Sequence, residues 1–108
     1  MSAYNNTITL VGRLGGDPLI EDTAAGTVCN FSMAVNIRKK EGNETDWFRI
    51  EAWHDVARGV KINLAKGDRV IVLGSLRVQK ADNGKIYHKV IAYQVGYLLS
   101  SKKESKEK

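Results

Sequence analysis

The alternation of apolar and polar side chains along the chain predicts a fold made mainly of short β-strands. Side chains that alternate with a period of two point to opposite faces of a strand, so that one face can join a core. On this criterion we expect strands at residues 7–14, 28–38, 69–78 and 86–99, and one more in the stretch 46–54. Gly12 lies inside the first strand, and an interior glycine predicts a bulge or a sharp bend.

Turn residues and one helical pattern predict how the strands are connected. Turns are expected at residues 22–27, 38–44 and 82–84. A short helix is predicted by apolar residues at helical spacing, namely Val56, Ala57, Val60 and Leu64. Asp55 is a suitable N-cap for it, and Gly67 is the expected C-cap. The order of strands and helix predicts an all-β OB-fold, a five-stranded Greek-key barrel with one helix between strands three and four.

The stretch 46–54 divides into two faces of opposite character. The apolar face, suited to a core, carries Phe48, Ile50 and Ala52. The other face carries Glu51 and both tryptophans of the protein, Trp47 and Trp53, with Arg49 between them. An indole beside a guanidinium suits a single-stranded nucleic acid, which offers base π-faces and negative phosphates. The alternative is that these tryptophans pack in a core or an oligomer interface.

Composition and charge favour a binding protein with an acidic partner. The chain has 108 residues, one cysteine and a net charge of +5, which fits a single domain without disulfides or cysteine-based zinc sites. Cys29 follows the apolar alternation, so we expect a buried hydrophobe. There is no signal-like or membrane-spanning apolar run, so a soluble, intracellular protein is expected. No cofactor is expected, and catalysis is the least favoured class because the carboxylates are scattered and His54 and His88 stand alone.

Basic residues concentrate where the predicted barrel would meet an oligonucleotide. OB-folds bind along strands two and three and the adjoining loops. The predicted loop after the second strand contains Arg38, Lys39 and Lys40, and the last hairpin contains Lys80 and Lys85. We expect these side chains to contact phosphates, which makes binding dependent on salt.

Several segments resemble the bacterial single-stranded DNA-binding proteins. The matching segments are Ile8-Thr9-Leu10-Val11-Gly12-Arg13-Leu14-Gly15-Gly16-Asp17-Pro18, Asn30-Phe31-Ser32-Met33-Ala34-Val35, Asp46-Trp47-Phe48-Arg49-Ile50, Lys66-Gly67-Asp68-Arg69-Val70 and Gly74-Ser75-Leu76-Arg77. They run in family order over roughly residues 5–99. The resemblance implies an OB-fold, usually tetrameric, that wraps single-stranded DNA in replication, repair and recombination, in the cytoplasm or nucleoid.

The resemblance also implies roles for individual residues. Trp47 lies where the family has a base-stacking tryptophan, and Trp53 where it has a second stacking aromatic. Lys66 and Lys80 match basic positions that contact the DNA backbone, and Arg13 and Arg77 are further expected contacts.

The sequence departs from the family pattern at three places. Lys39 and Ala81 replace two further stacking tryptophans, for which Tyr87 and Tyr93 are candidate substitutes unless they pack in the barrel wall or an interface. The polar segment 100–108 follows the predicted domain, residues 1–99, and is expected to be disordered. It is short and basic, so recruitment of proteins through an acidic tip is not expected. The compact build also resembles primosomal OB proteins and a thylakoid-associated cyanobacterial or plastid branch.

Two functions follow as hypotheses. The first is sequence-tolerant binding of single-stranded DNA by stacking and phosphate contacts. The second is an OB-fold oligomer with weakened DNA affinity that uses the tryptophan face to meet a protein or a membrane surface. The edge of the first strand would permit oligomers by strand pairing, with a dimer as the alternative to a tetramer.

Overall fold

The computed structural model describes residues 5–98, which contain six strands and one helix. In chain order these are β1 (Ile8–Leu14), β2 (Leu19–Thr23), β3 (Gly26–Lys39), β4 (Gly42–Trp53), α1 (His54–Asn63), β5 (Arg69–Lys80) and β6 (Ile86–Leu98). The expected disorder of residues 100–108 lies outside the described residues. No helix in the described range is long and apolar enough to cross a membrane.

Five of the strands close into a barrel. The hydrogen-bonded order is β1-β5-β6-β4-β3, and β1 also pairs with β3 at Arg13 and Leu14, which closes the ring. The contact between β4 and β6 is the parallel pairing, and the other pairings are antiparallel. The predicted OB-fold is therefore confirmed, with α1 between the third and fourth strands of the barrel.

The interior of the barrel is filled by the inward side of the alternation. Met33, Ile50, Val72 and Val90 are fully buried there, and Ala57 and Val60 of α1 belong to the same apolar cluster. Each fully buried aliphatic side chain contributes about 1.5–3 kcal/mol to folding. Cys29 is also buried, as predicted. Burial raises the pKa of its thiol, an effect that Lys61 partly opposes.

The short strand β2 was missed by the pattern, and the predicted turn at 22–27 was too wide. β2 pairs antiparallel with β3 outside the barrel ring, and only residues 24 and 25 form the turn between them. All five β2 side chains are exposed, Leu19 by 72%. A strand with no buried face leaves no apolar alternation to detect; β2 is held by its backbone pairing and by polar side-chain bonds such as that from Thr27 to Asp22.

The predicted caps of α1 were wrong. The helix begins one residue before Asp55, at His54, and its N-cap is Trp53, which makes no side-chain cap bond. Asp55 instead lies in the first turn and pairs with Arg58 at 2.8 Å. At the other end Leu64 is the C-cap, because its N–H bonds to the carbonyl oxygen of Val60.

The expectations for the first strand and the hairpin loops also need correction. β1 pairs with β5 in unbroken register through Gly12, so there is no bulge there. Gly12 instead lets β1 approach the Ala34 carbonyl, where a Cβ would overlap it. The register shift occurs between Leu73 and Gly74. Most of the predicted 38–44 loop is strand, since β3 and β4 pair as far as Lys39 and Gly42.

Candidate nucleic-acid interface

The outer face of β3 and β4 presents large side chains beside small ones. Residues that are direct cross-strand partners share a face of the sheet. The partners on this face are Ala34 with Trp47, Ser32 with Arg49, and Asn30 with Glu51. The β3 side chains are shorter than their β4 partners, so the β4 side chains project further from the sheet. The opposite face of β4 is turned inward, with Ile50 and Ala52 buried and Phe48 half-buried, as predicted.

Trp47 is the most exposed aromatic side chain of the described residues. It leaves 62% of its surface in solvent, although its indole lies against Gly15. A Cβ on Gly15 would overlap the ring and would lie 2.7 Å from the Ser32 hydroxyl oxygen. The ring is therefore seated at one edge and open over most of its area, as stacking on an incoming base requires.

Trp53 has a different environment and is half-buried. Its Nε1–H donates a hydrogen bond of 2.7 Å to Oε2 of Glu51. The other carboxylate oxygen of Glu51 lies 3.0 Å from Nζ of Lys89, a residue of β6. The Trp53 ring is also tilted against the imidazole of His54, with centroids 6.0 Å apart. The two tryptophans share a face, but only Trp47 is freely presented.

The strand register places three arginines on the same face of the sheet as Trp47. Arg13 of β1 is the partner of Ala34, which is itself the partner of Trp47. Arg13 is also the partner of Arg69 on β5, and both line a depression of about 370 Å³. One Arg13 nitrogen donates to the Gly67 carbonyl at 2.9 Å. Together with Arg49 these side chains form a cationic margin on the tryptophan face.

The other predicted basic residues lie away from this centre. Arg38, Lys39 and Lys40 are exposed at the β3–β4 hairpin, where Lys39 pairs with Glu44 at 2.8 Å. Lys66 is exposed in the segment after α1, and its backbone N–H bonds to Asp17. These positions extend the basic surface beyond the strands that carry the tryptophans.

The β5–β6 hairpin carries the remaining candidates. Arg77 is the cross-strand partner of Lys89, and Tyr87 is the partner of Gln79, so these four share one face. Lys80, the partner of Ile86, points to the other face, and Lys85 is exposed beside the turn. Lys89 forms an ion pair with Glu51 of the tryptophan face, so Arg77 and Tyr87 lie on the same side of the sheet as the tryptophans. Lys80 lies on the opposite side.

The positions that depart from the family pattern hold no large ring. Ala81 lies in the hairpin turn, where its N–H bonds to the Lys85 carbonyl at 2.8 Å. Tyr87 and Tyr93 are 47% and 56% exposed, so they do not pack inside the barrel wall. The Tyr93 hydroxyl is hydrogen-bonded to Ser75, which leaves Tyr87 as the less restrained ring.

Two residues of this face, Arg69 and Lys89, were missed as site residues in the sequence. Neither was expected to contact DNA, because a strand pattern gives faces but not which strands are neighbours. The pairing of β1 with β5 and of β4 with β6 is what places them. Among residues 5–98, no group of three or more histidine, cysteine, aspartate or glutamate side chains could hold a metal ion.

Comparisons with known proteins point to one family. A sequence model of the single-strand binding protein family matches residues 5–97. Single-stranded DNA-binding protein 1 of Nostoc sp. is 40% identical over 73 residues, which are 67% of this chain and 60% of that protein. Single-stranded DNA-binding protein 1 of Clostridium acetobutylicum is 33% identical over 108 residues, covering 93% and 98% of the two chains.

A solved structure shows the same fold. The single-strand binding protein of Plasmodium falciparum in complex with single-stranded DNA superposes with a TM-score of 0.75 at 31% identity, covering 87% of this chain and 95% of that chain. The chain spans about 60% of the length of the first curated relatives that it matches.

Proposed function

The chain belongs to the single-strand binding protein family, and we propose that it binds single-stranded DNA with little sequence preference through the outer face of β3 and β4. The observation that carries this proposal is Trp47, an indole that is 62% exposed on a barrel strand with Arg49 beside it. Exposure of so large an apolar ring is unfavourable in water unless a ligand covers it. A nucleobase covers it whatever its identity, because every base has a π-face.

Binding would combine one strong stacking contact with a spread of phosphate contacts. Stacking of a base on an aromatic side chain contributes about 1–3 kcal/mol. Arg49 lies two residues along β4 from Trp47, and Arg13 lies two strands away across Ala34; both would hold the adjoining phosphates. Trp53 offers a second but smaller platform, because it is half-buried and tied to Glu51.

The two hairpins would extend the phosphate path on either side of this centre. Lys39 and Ala81 replace stacking aromatics of the family, so less of the affinity comes from stacking and more from charge. Electrostatic binding to single strands weakens with salt by about 0.7 logarithmic units of affinity per tenfold salt for each cation engaged. We therefore expect a steep salt dependence, to which Lys40, Arg77, Lys80 and Lys85 contribute.

The test is the Trp47→Ala variant, measured with a fluorescently labelled dT oligomer so that the signal does not depend on tryptophan. Affinity should fall by roughly 5- to 150-fold, which corresponds to the loss of one stacked base. Ile62→Ala is the matched control, because Ile62 is 80% exposed on α1 and its loss should leave binding unchanged. Equal affinities of Trp47→Ala and the parent would refute the stacking role.

A homo-oligomer formed through β1 is the second part of the proposal. Within the described residues, β1 pairs with β3 only at Arg13 and Leu14 and Gly12 lies against Ala34, so residues 8–11 have no paired strand on that side. Val11 on this strand is 44% exposed. A second copy could pair with that edge. Sedimentation equilibrium should give a mass of two or four chains, and Val11→Lys should lower it; a monomeric parent would contradict the assembly.

The cellular role follows from the ligand. We place the protein wherever single strands are exposed, in replication, repair and recombination, in the cytoplasm or nucleoid. Its relatives are single-stranded DNA-binding proteins, which act by binding and not by catalysis. Thylakoid association and a protein- or membrane-binding role remain predictions, which binding to anionic vesicles without binding to DNA would favour.

A further inference from the structure

Glu51 is an acidic side chain on a face that is otherwise suited to phosphates. Both of its carboxylate oxygens are occupied: Oε2 accepts from the Trp53 indole nitrogen at 2.7 Å, and Oε1 meets Nζ of Lys89 at 3.0 Å. The side chain of Glu51 is only 17% exposed and that of Lys89 26%. A carboxylate held this way links β4 to β6 at the parallel seam of the barrel, where the strands pair over three residues.

We propose that Glu51 is a positioning residue, which fixes the orientation of the Trp53 indole and keeps Lys89 neutralised, so that Lys89 does not act as a phosphate-binding cation. The first half concerns the free protein and stands whether or not DNA is the ligand. The second half rests on the proposed function. The two parts of the proposal predict changes in different measurements, so each part can be refuted separately.

The geometry supports the orienting role. An indole in a strand can turn about its two side-chain torsions, but a charge-assisted hydrogen bond at its only donor restricts both. Lys89 in turn holds the carboxylate from the neighbouring strand, so the indole is tied to two strands at once. Among the described residues no comparable partner holds the Trp47 indole nitrogen. Trp53 is thus preorganised, whereas Trp47 is only seated on Gly15.

The charge balance supports the second role. A glutamate on this surface repels phosphates unless a cation compensates it, and Lys89 is that cation. While the pair is intact, Lys89 adds nothing to the net attraction for DNA. Arg77, the cross-strand partner of Lys89, would be the nearest basic side chain on β5 to share a phosphate with a released Lys89. Removing the charge of Glu51 while keeping its hydrogen bond should therefore add one phosphate-binding cation to the face.

The orienting role is tested by tryptophan anisotropy decay in the Trp47→Phe background, where Trp53 is the remaining tryptophan. Glu51→Gln keeps an acceptor oxygen, so the fast local motion of Trp53 should stay small. Glu51→Leu removes the acceptor, so that motion should increase clearly, with the barrel intact by circular dichroism. Equal local motion in the parent and Glu51→Leu would overturn the proposal.

An NMR measurement on the unsubstituted chain keeps the orienting role testable if Glu51→Leu does not fold. The Trp53 indole N–H should exchange with solvent at least tenfold more slowly than that of Trp47, because it is bonded and half-buried. Equal exchange rates of the two indoles would overturn it.

The charge role is tested by the salt dependence of dT-oligomer binding. Glu51→Gln should bind more tightly at low salt, with a salt slope steeper by about 0.7, the value for one added cation on a single strand. Lys89→Gln in the Glu51→Gln background should remove that gain. An unchanged slope in Glu51→Gln would overturn this half, whereas a parent chain that binds no DNA would overturn the proposed function and leave the anisotropy result standing.

Discussion

The contact between the Trp47 indole and Gly15 leads to a specific prediction for the Gly15→Ala variant. The added methyl group would overlap the indole, lie 3.2 Å from its Cη2 atom and lie 2.7 Å from the Ser32 hydroxyl oxygen. Ordinary contacts between carbon atoms are about 3.5–4.0 Å. The ring must therefore move by a distance on the order of 1 Å, and it can do so because its outer side is in solvent.

The structure predicts that this movement costs binding and not folding. The displaced ring is a flexible side chain that is 62% exposed, so little buried area is lost. Replacing glycine by alanine also stabilises by about 0.4–1 kcal/mol through the unfolded chain. The free energy of unfolding of Gly15→Ala should therefore lie within about 1 kcal/mol of the parent's. Its affinity for DNA should fall by up to the stacking contribution of Trp47, about 1–3 kcal/mol.

The assay is a double-mutant cycle of Gly15→Ala with Trp47→Ala, read by binding of a labelled dT oligomer and by urea unfolding. If Gly15 acts through Trp47, Gly15→Ala should have almost no effect once the indole is gone. Gly16→Ala is the matched control, since a Cβ there meets no atom within 4 Å, and it should bind like the parent. Additive losses in the cycle would refute the reasoning, because they would mean that the methyl group meets the DNA itself.

Three further predictions concern the barrel, the thiol and the hairpin. Gly74→Ala should destabilise the fold by about 1–3 kcal/mol in urea, because its Cβ would overlap the carbonyl of Ile91; an unchanged midpoint would contradict this close approach. Burial raises the pKa of Cys29 above its ordinary 9.0, so its contribution to stability is complete below pH 9.0 and is lost as pH rises through the higher folded value. Between pH 8 and pH 10 the free energy of unfolding in urea should therefore decrease less in Cys29→Ala than in the parent. Equal decreases would disprove the effect. Glu44→Gln releases Lys39 from an exposed ion pair, so stability should change by less than about 1 kcal/mol while the salt slope of DNA binding steepens by about 0.7. A slope no steeper than that of Glu41→Gln, which removes a nearby charge, would show that Lys39 does not reach a phosphate.

The fold could be predicted from the sequence wherever one face of an element is buried. β3 and β4 alternate cleanly because one side of each lines the core, and the family segments place them in order. β2 could not be found this way, since both of its faces are exposed. The start of α1 was misplaced by one residue because Asp55 has the residue type of an N-cap, whereas it lies in the first turn of the helix.

The candidate site was predictable in part for the same reason. The period of two placed Trp47 and Arg49 on one outer face, and their exposure confirms that placement. The same period placed Trp53 on that face, but it could not show that the Trp53 indole is hydrogen-bonded to Glu51. That bond depends on Lys89, which lies 38 residues further along the chain and comes beside β4 only through a parallel pairing. Contacts between distant strands depend on topology and register, which a pattern within one strand does not contain.

The central claim is most directly tested by titrating the full chain with a dT oligomer and following tryptophan fluorescence at a low and a high salt concentration. The account predicts strong quenching at low salt, because bases stack on Trp47, and weaker binding at high salt, because cations on the same face hold phosphates. A flat signal at low salt would contradict it.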